Sequence, residues 1–266
     1  MDRLVIVRGA GDLATGVIAK LWRSGFTVVA LESEAPSAIR RTVAFSEAVY
    51  QKETTVEGIT ACLAVEKNTL DILEQGKIPI LIDKEADILK KIHPFVLVDA
   101  ILAKRNLGTN MEMADIVIGL GPGFTAGVDV HAVIETMRGH NLGRVYYKGS
   151  AIPNTGIPGM VGGYAKERVM YAGNAGIMKG ICRIGDSVRR GDIIAYVGNE
   201  PVYASISGVL RGILPDGFEV RVHEKLADID PREDEYQNCF LISDKARCIA
   251  GGVLEAILCL EKGRLA

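Results

Sequence analysis

Short apolar runs punctuate the first half of the chain. Leu4–Val7, Thr27–Leu31, Ile59–Val65, Ile78–Ile82, Phe95–Val98 and Ala114–Ile118 are mostly aliphatic. Unbroken runs of this kind predict strands covered on both faces. Between them lie segments with helical spacing. Leu13, Val17, Ile18, Leu21 and Trp22 share one helical face. Lys67–Gln75 reads as a helix closed by Gly76, and Lys84–Ile92 as a short helix stopped before Pro94. The alternation predicts an α/β protein with a Rossmann-like parallel sheet and helices on both faces.

The pattern changes further along. His131–Thr136 and Gly143–Gly149 read as two strands joined by a polar turn containing Arg138 and His140. Ala151–Gly163, rich in glycine and holding Pro153 and Pro158, reads as a long lid or linker. From Arg168 to Pro231 short strands dominate, and Gly185-Asp-Ser-Val188 matches Gly217-Phe-Glu-Val220 in spacing. This weak repeat resembles the barrel-sandwich hybrid of lipoyl and biotinyl domains. Those carriers need a lysine on the hairpin between the halves. Here the turn is Gly198-Asn199-Glu200-Pro201, and no lysine lies between Lys179 and Lys225. A swinging arm is thereby excluded, and an interaction or lid module is expected. Ser243 is placed to cap a helix running to about Leu260, with Gly263 as its stop. Gly251 and Gly252 inside it predict close packing on the first domain or on a second subunit. The expected division is 1–127 for the Rossmann-like ligand-binding domain and 128–166 for the hairpin and loop. The barrel-sandwich-like module takes 167–231, and 232–266 forms a C-terminal helix packing back on the first domain.

The candidate chemistry lies at the carboxyl ends of the predicted strands, where open α/β sheets bind ligands. Gly9-Ala10-Gly11-Asp12-Leu13-Ala14 joins the first strand to an amphipathic helix. Strand, glycine turn and helix present unpaired N–H groups to an anion, usually a phosphate. Gly119-Leu-Gly121-Pro-Gly123-Phe124-Thr125 follows another strand and is a second candidate anion loop. It lacks the Lys-Ser/Thr ending of a P-loop. Glu32 stands where dinucleotide folds place an acid on a ribose hydroxyl, which would favour NAD; it is equally an ordinary loop acid. Arg40 and Arg41 offer planar forks for a phosphate or carboxylate, or a solvated pair. Asp83 and Asp99 end two further strands, as ligand groups or as caps. Lys104 and Asn106 make the loop after Asp99 a mixed polar set. Glu135 and His140 are weaker acid–base candidates. No catalytic residue and no metal ligand set stands out.

Composition narrows the classes. The 266 residues are 48% hydrophobic and 24% charged, with a formal net charge of −2. Such a chain buries a substantial core, and without a basic block a nucleic-acid partner is not expected. Asp99, Asp115 and Glu255 break the longest apolar stretches, so no membrane span is expected, and the start of the chain leaves no room for a signal peptide. Cys62, Cys182, Cys239, Cys248 and Cys259 are scattered without a CxxC pair. That set points to a reducing cytoplasm and against structural zinc.

Three stretches together carry a family resemblance: VRGAGDLATG at 7–16, GLGPGFTAGVDVHAVIETMRGHNLG at 119–143 and GSAIPNTGIPG at 149–159. The chain resembles the YqeB family, maturation proteins of selenium-dependent molybdenum hydroxylases, and more distantly the Rossmann part of XdhC-type molybdenum-cofactor chaperones. The resemblance implies an accessory protein with a molybdenum hydroxylase as partner. Its ligand would be a molybdopterin-type cofactor or nucleotide, with an NAD-dependent oxidoreductase and a non-enzymatic scaffold as alternatives. Gly9, Ala10, Gly11, Asp12, Gly119, Gly121, Gly123, Phe124 and Thr125 would hold its phosphate, with Glu32, Arg40, Arg41 and Asp99 around them. No cysteine lies in a glycine loop, which favours binding over direct chalcogen transfer.

Overall fold

The computed structural model describes residues 3–156, 159–232 and 234–263. The chain divides into two compact units. One comprises 1–36, 44–155 and 242–266; the other comprises 37–43 and 156–241.

The first unit opens with β1 (Leu4–Arg8), α1 (Asp12–Arg23) and β2 (Thr27–Glu32). Then come α2 (Ala48–Gln51), β3 (Glu53–Val56), β4 (Ile59–Ala64), α3 (Thr69–Glu74), β5 (Ile78–Ile82), β6 (Val96–Asp99), β7 (Ile116–Leu120), β8 (Ala132–Ile134) and β9 (Val145–Tyr146). These strands form one nine-stranded sheet in the order β3-β4-β5-β2-β1-β6-β7-β8-β9. The seven inner strands run parallel, whereas β3 and β9 pair antiparallel with their neighbours. Alternate side chains of the parallel strands point to opposite faces. Leu4, Ile6, Val29, Leu31, Leu97, Val117 and Val133 build one core cluster with Ile72 of α3 and Phe124.

The last element of this unit is α4 (Asp244–Glu261), which packs along α1 and against β7, β8 and β9. Its first turn is capped by Ser243, whose Oγ accepts the Ala246 N–H at 3.2 Å. α4 packs tightly on both α1 and the β8–β9 connection. A Cβ on Gly16 would lie 2.7 Å from the Ala246 Cβ, and one on Gly252 would overlap the Gly143 carbonyl. Close packing therefore explains Gly252. Gly251 meets nothing within 4 Å and has no such reason.

The second unit contains β10 (Val169–Tyr171), β11 (Gly176–Gly180), β12 (Ser187–Val188), β13 (Ile193–Val197), β14 (Glu200–Tyr203), β15 (Gly208–Ile213), β16 (Glu219–Val220) and β17 (Lys225–Asp230). They form two antiparallel sheets, β10-β17-β15-β12 and β14-β13-β11-β16. Both contribute to a single core, with Leu210, Leu226 and Ile229 from one and Met178, Ile194 and Val197 from the other. The segment 37–43 belongs here. Ile39 enters this core, and the Arg40 guanidinium donates to the carbonyls of Asn238 and Leu241, each at 3.1 Å.

This architecture corrects the expected Rossmann-like parallel sheet followed by a barrel-sandwich-hybrid module. A doubly wound sheet needs a helix in its crossovers. Here the links β5–β6 and β6–β7 hold only 3₁₀ turns, β7–β8 holds no helix, and hairpin partners make both edges antiparallel. Lys84–Ile92, expected as an α-helix, is a 3₁₀ turn over Asp87–Lys90. In the second unit the two matching G-x-x-V segments fall in different sheets, as β12 and β16. The glycine-flanked β11, absent from the repeat, pairs with both β13 and β16. Ile157 and Pro158 of the expected long loop lie outside the described residues.

Candidate functional site

The carboxyl ends of β1, β2, β6 and β7 gather most of the expected ligand residues in the first unit. Gly9 ends β1 with φ +95°, a conformation that disfavours any side chain. A Cβ there would also lie 3.0 Å from the Ala100 carbonyl oxygen. Gly9 thus lets the chain leaving β6 cross the first glycine turn at backbone contact. Ala10 is fully buried and both its polar groups are used. Its N–H donates to Glu32 Oε2 at 2.9 Å, and its carbonyl accepts from the Ser46 N–H at 2.8 Å and the Thr15 hydroxyl at 3.1 Å. Gly11 is the N-cap of α1 and supplies no side chain, and Asp12 opens the first turn.

The three acids at strand ends have distinct partners. Glu32 holds the glycine turn, and its Oε1 also accepts the Ser33 N–H at 2.8 Å. Asp83 caps the following 3₁₀ turn, accepting the N–H groups of Asp87 at 2.8 Å and Ile88 at 2.9 Å. Asp99 is buried against Arg8, its cross-strand neighbour. Thr109 links the two: its hydroxyl donates to Asp99 Oδ2 at 2.6 Å and accepts from Arg8 at 2.5 Å. Arg8 also donates to the Lys84 carbonyl at 3.3 Å, while its buried Nε has no hydrogen-bond partner among the described residues. Sequence reasoning missed Arg8. The available signal was a charged residue ending an otherwise apolar strand just before a glycine.

The second glycine loop is built by close approach. Phe124 is a core residue whose ring lies over Gly119, 2.5 Å from where a Cβ would stand. A Cβ on Gly121 would lie 2.6 Å from the Thr136 hydroxyl. Gly123, with φ +113°, meets the backbone of Arg105 in the same way at 2.7 Å. Thr125 is engaged: its N–H donates to Asp129 at 2.8 Å and its hydroxyl meets the Ser150 hydroxyl at 3.0 Å. The segment 100–105 therefore touches Gly9 at one end and Gly123 at the other. It also carries Lys104 and Arg105, both exposed and without an ion pair among the described residues. Asn106 braces the segment by exchanging two hydrogen bonds with the Thr109 backbone, at 2.7 and 2.8 Å.

Other candidates take structural places. Arg40 and Arg41 lie in the second unit and bind its backbone carbonyls; Arg41 Nε donates to Ile213 at 3.0 Å. Glu135 is fully buried and accepts the N–H groups of Thr136, Met137 and Ile152. His140 is exposed. Burial pushes the Cys62, Cys182 and Cys239 thiols above the ordinary range, the opposite of an activated nucleophile. Among the described residues no cluster of His, Cys, Asp or Glu is arranged to hold a metal ion, and no helix is long and apolar enough to cross a membrane.

No protein-family model matches the chain. Among solved structures it is similar to the product-bound ectoine utilization protein EutE (DoeB) from Ruegeria pomeroyi, at 10% identity over 85% of each chain with a TM-score of 0.30. It is also similar to a succinylglutamate desuccinylase from a Silicibacter species, at 12% identity over 85% of this chain and 84% of that one, with a TM-score of 0.25. Likeness this weak transfers neither a fold nor an activity. The sequence relation is much stronger: the chain is 50% identical over 259 residues to YqeB of Escherichia coli (strain K12), a protein described as uncharacterized. That match covers 97% of this chain and 48% of YqeB, so the chain spans about half of that relative's length. Over this span the chain is a homologue of YqeB.

Proposed function

We propose that this chain is an accessory protein of a selenium-dependent molybdenum hydroxylase system, and that its first unit binds a nucleotide or molybdopterin-type cofactor at the carboxyl edge of the nine-stranded sheet. The observation that carries the binding site is the convergence of both glycine turns on the segment 100–105, beside the cations Lys104 and Arg105. At Gly9 and Gly123 a Cβ would strike the backbone of Ala100 and Arg105, so both turns pack directly against this segment. Lys84 adds a third exposed cation from the end of β5. The N–H groups of Gly9, Ala10, Gly121 and Thr125 are already bonded within the protein, so it is the cations beside the turns that suit a phosphate or pyrophosphate. The maturation role comes from the family resemblance.

In this role the residues bind and orient rather than react. Lys104 and Arg105 would attract and hold the phosphate, and the Arg8–Thr109–Asp99 network would keep their segment in place. The bound group would itself supply the metal-carrying chemistry of the target hydroxylase. Glu32 binds the Ala10 and Ser33 N–H groups, which gives it a structural role whether or not a ribose hydroxyl also reaches it.

A thermal-shift panel tests the reading with molybdopterin, its cytosine dinucleotide, CTP, ATP, NAD and NADH. A ligand at a hundred times its dissociation constant adds about 2.7 kcal/mol of stability. The expected result is a shift with the pterin ligands that Lys104→Ala/Arg105→Ala reduces. A shift with NAD or NADH alone would replace the reading with a dehydrogenase, and no shift with any ligand would leave a scaffold.

A further inference from the structure

The glycine turns use their N–H groups within the fold, but the segment they converge on does not. From Leu102 to Gly108 no backbone N–H donates a hydrogen bond among the described residues. Bonding resumes on either side. The Ala100 N–H donates to the Arg8 carbonyl at 2.9 Å, the Ile101 N–H to Asp99 Oδ1 at 3.2 Å and the Thr109 N–H to Asn106 Oδ1 at 2.8 Å.

The backbone of the same stretch is left-handed at two side-chain-bearing residues. Leu102 and Lys104 have φ +61° and +62°, and Ala103 between them does not share this conformation. Neither leucine nor lysine favours it, unlike glycine or asparagine. Alternation of this kind turns successive N–H groups towards one side and makes a concavity for an anion. Such conformations persist where the surrounding fold enforces them, and they gather at ligand sites. Here both ends are fixed: the Ala100 carbonyl lies against Gly9 and the Arg105 backbone against Gly123, each too close for a Cβ. The local charge also suits an anion. Lys104 and Arg105 are exposed and make no ion pair among the described residues. Asp99, at the start of the segment, is buried and already accepts from Ile101, Thr109 and Arg8.

We propose that the main chain of Leu102–Lys104 is the anion-binding element of this edge, its N–H groups receiving a phosphoryl group whose charge Lys104 and Arg105 neutralise; this rests on the ligand-binding function proposed above. Such an element reads the phosphoryl group and not the ring attached to it, so inorganic pyrophosphate is itself a ligand. Sequence gives no hint of it, because neither residue type announces a positive φ.

Amide-resolved NMR of the full chain, titrated with inorganic pyrophosphate, tests this. The amides of Leu102, Ala103 and Lys104 should shift most and saturate together, and those of Gly9, Ala10, Gly121 and Thr125, already bonded, should shift less. Leu102→Gly, which keeps the left-handed backbone, should bind within about twofold of the wild type. Leu102→Val, which removes no charge but resists that backbone, should bind at least about fivefold more weakly. Lys104→Met/Arg105→Met should bind at least about tenfold more weakly, yet shift the same amides at saturation. A wild type that binds pyrophosphate with the 102–104 amides unmoved would overturn the main-chain role and leave the function standing. So would a wild type that ignores pyrophosphate but is stabilised by molybdopterin. Indifference to both would overturn this role and the function together.

Discussion

Glu32 Oε2 accepts the backbone N–H of Ala10 at 2.9 Å, so the acid ending β2 closes the glycine turn that follows β1. Ala10 is fully buried, and its N–H would have no other partner. Glu32→Ala should therefore destabilise the protein by about 1–3 kcal/mol, the penalty for an unsatisfied buried donor. Glu32→Gln, which keeps an acceptor oxygen, should lose less. Urea titration of the two variants checks this. A Glu32→Ala protein of wild-type stability would return the residue to the pool of free ligand groups.

Arg8 and Asp99 are both buried, with Thr109 between them. Asp99→Ala would leave the guanidinium buried without its counter-charge, a change worth about 3–5 kcal/mol. The paired change Arg8→Met/Asp99→Leu should be much milder, since it removes both charges. Denaturant midpoints for the single and double variants separate the pair from the packing.

The adjacent glycines of α4 should answer oppositely to alanine. Gly252→Ala drives a methyl group into the Gly143 carbonyl and should be destabilising by about 1–3 kcal/mol. Gly251 is exposed and its missing Cβ would meet nothing, so Gly251→Ala should stabilise the helix by up to about 1 kcal/mol. Calorimetric melting of the two proteins decides the matter.

His131 gives the fold an acid-sensitive contact. Its Nδ1 accepts the Val117 N–H at 2.9 Å, and burial holds the imidazole below the usual histidine range. The unfolded chain then binds the proton more readily than the folded one. The contribution is fully present above the unfolded value of about 6.5 and is lost as pH falls from there through the folded value. Stability measured between pH 7.5 and 4.5 should fall less steeply in His131→Asn, whose amide oxygen can accept the same N–H without titrating.

Local patterns in the sequence determined much of the first unit. The apolar runs became β1, β2, β4, β5, β6 and β7, because strands covered on both faces need uninterrupted aliphatic side chains. Ser243 capped its helix, and Gly9 marked a turn that only glycine tolerates well. These features depend on residues close together in the chain. The antiparallel edges of the sheet and the assignment of 37–43 to the second unit depend on distant partners, which local periodicity does not encode. The same holds for the site. Glycine turns and strand-end acids were legible, and capping was one of the two readings of Asp83, which accepts N–H groups of the turn after it; the closing of the first glycine turn by Glu32, the pairing of Asp99 with Arg8 and the binding of carbonyls in the other unit by Arg40 and Arg41 were not. A charged side chain takes the partner that burial brings to it, and only the tertiary structure decided which groups were buried together.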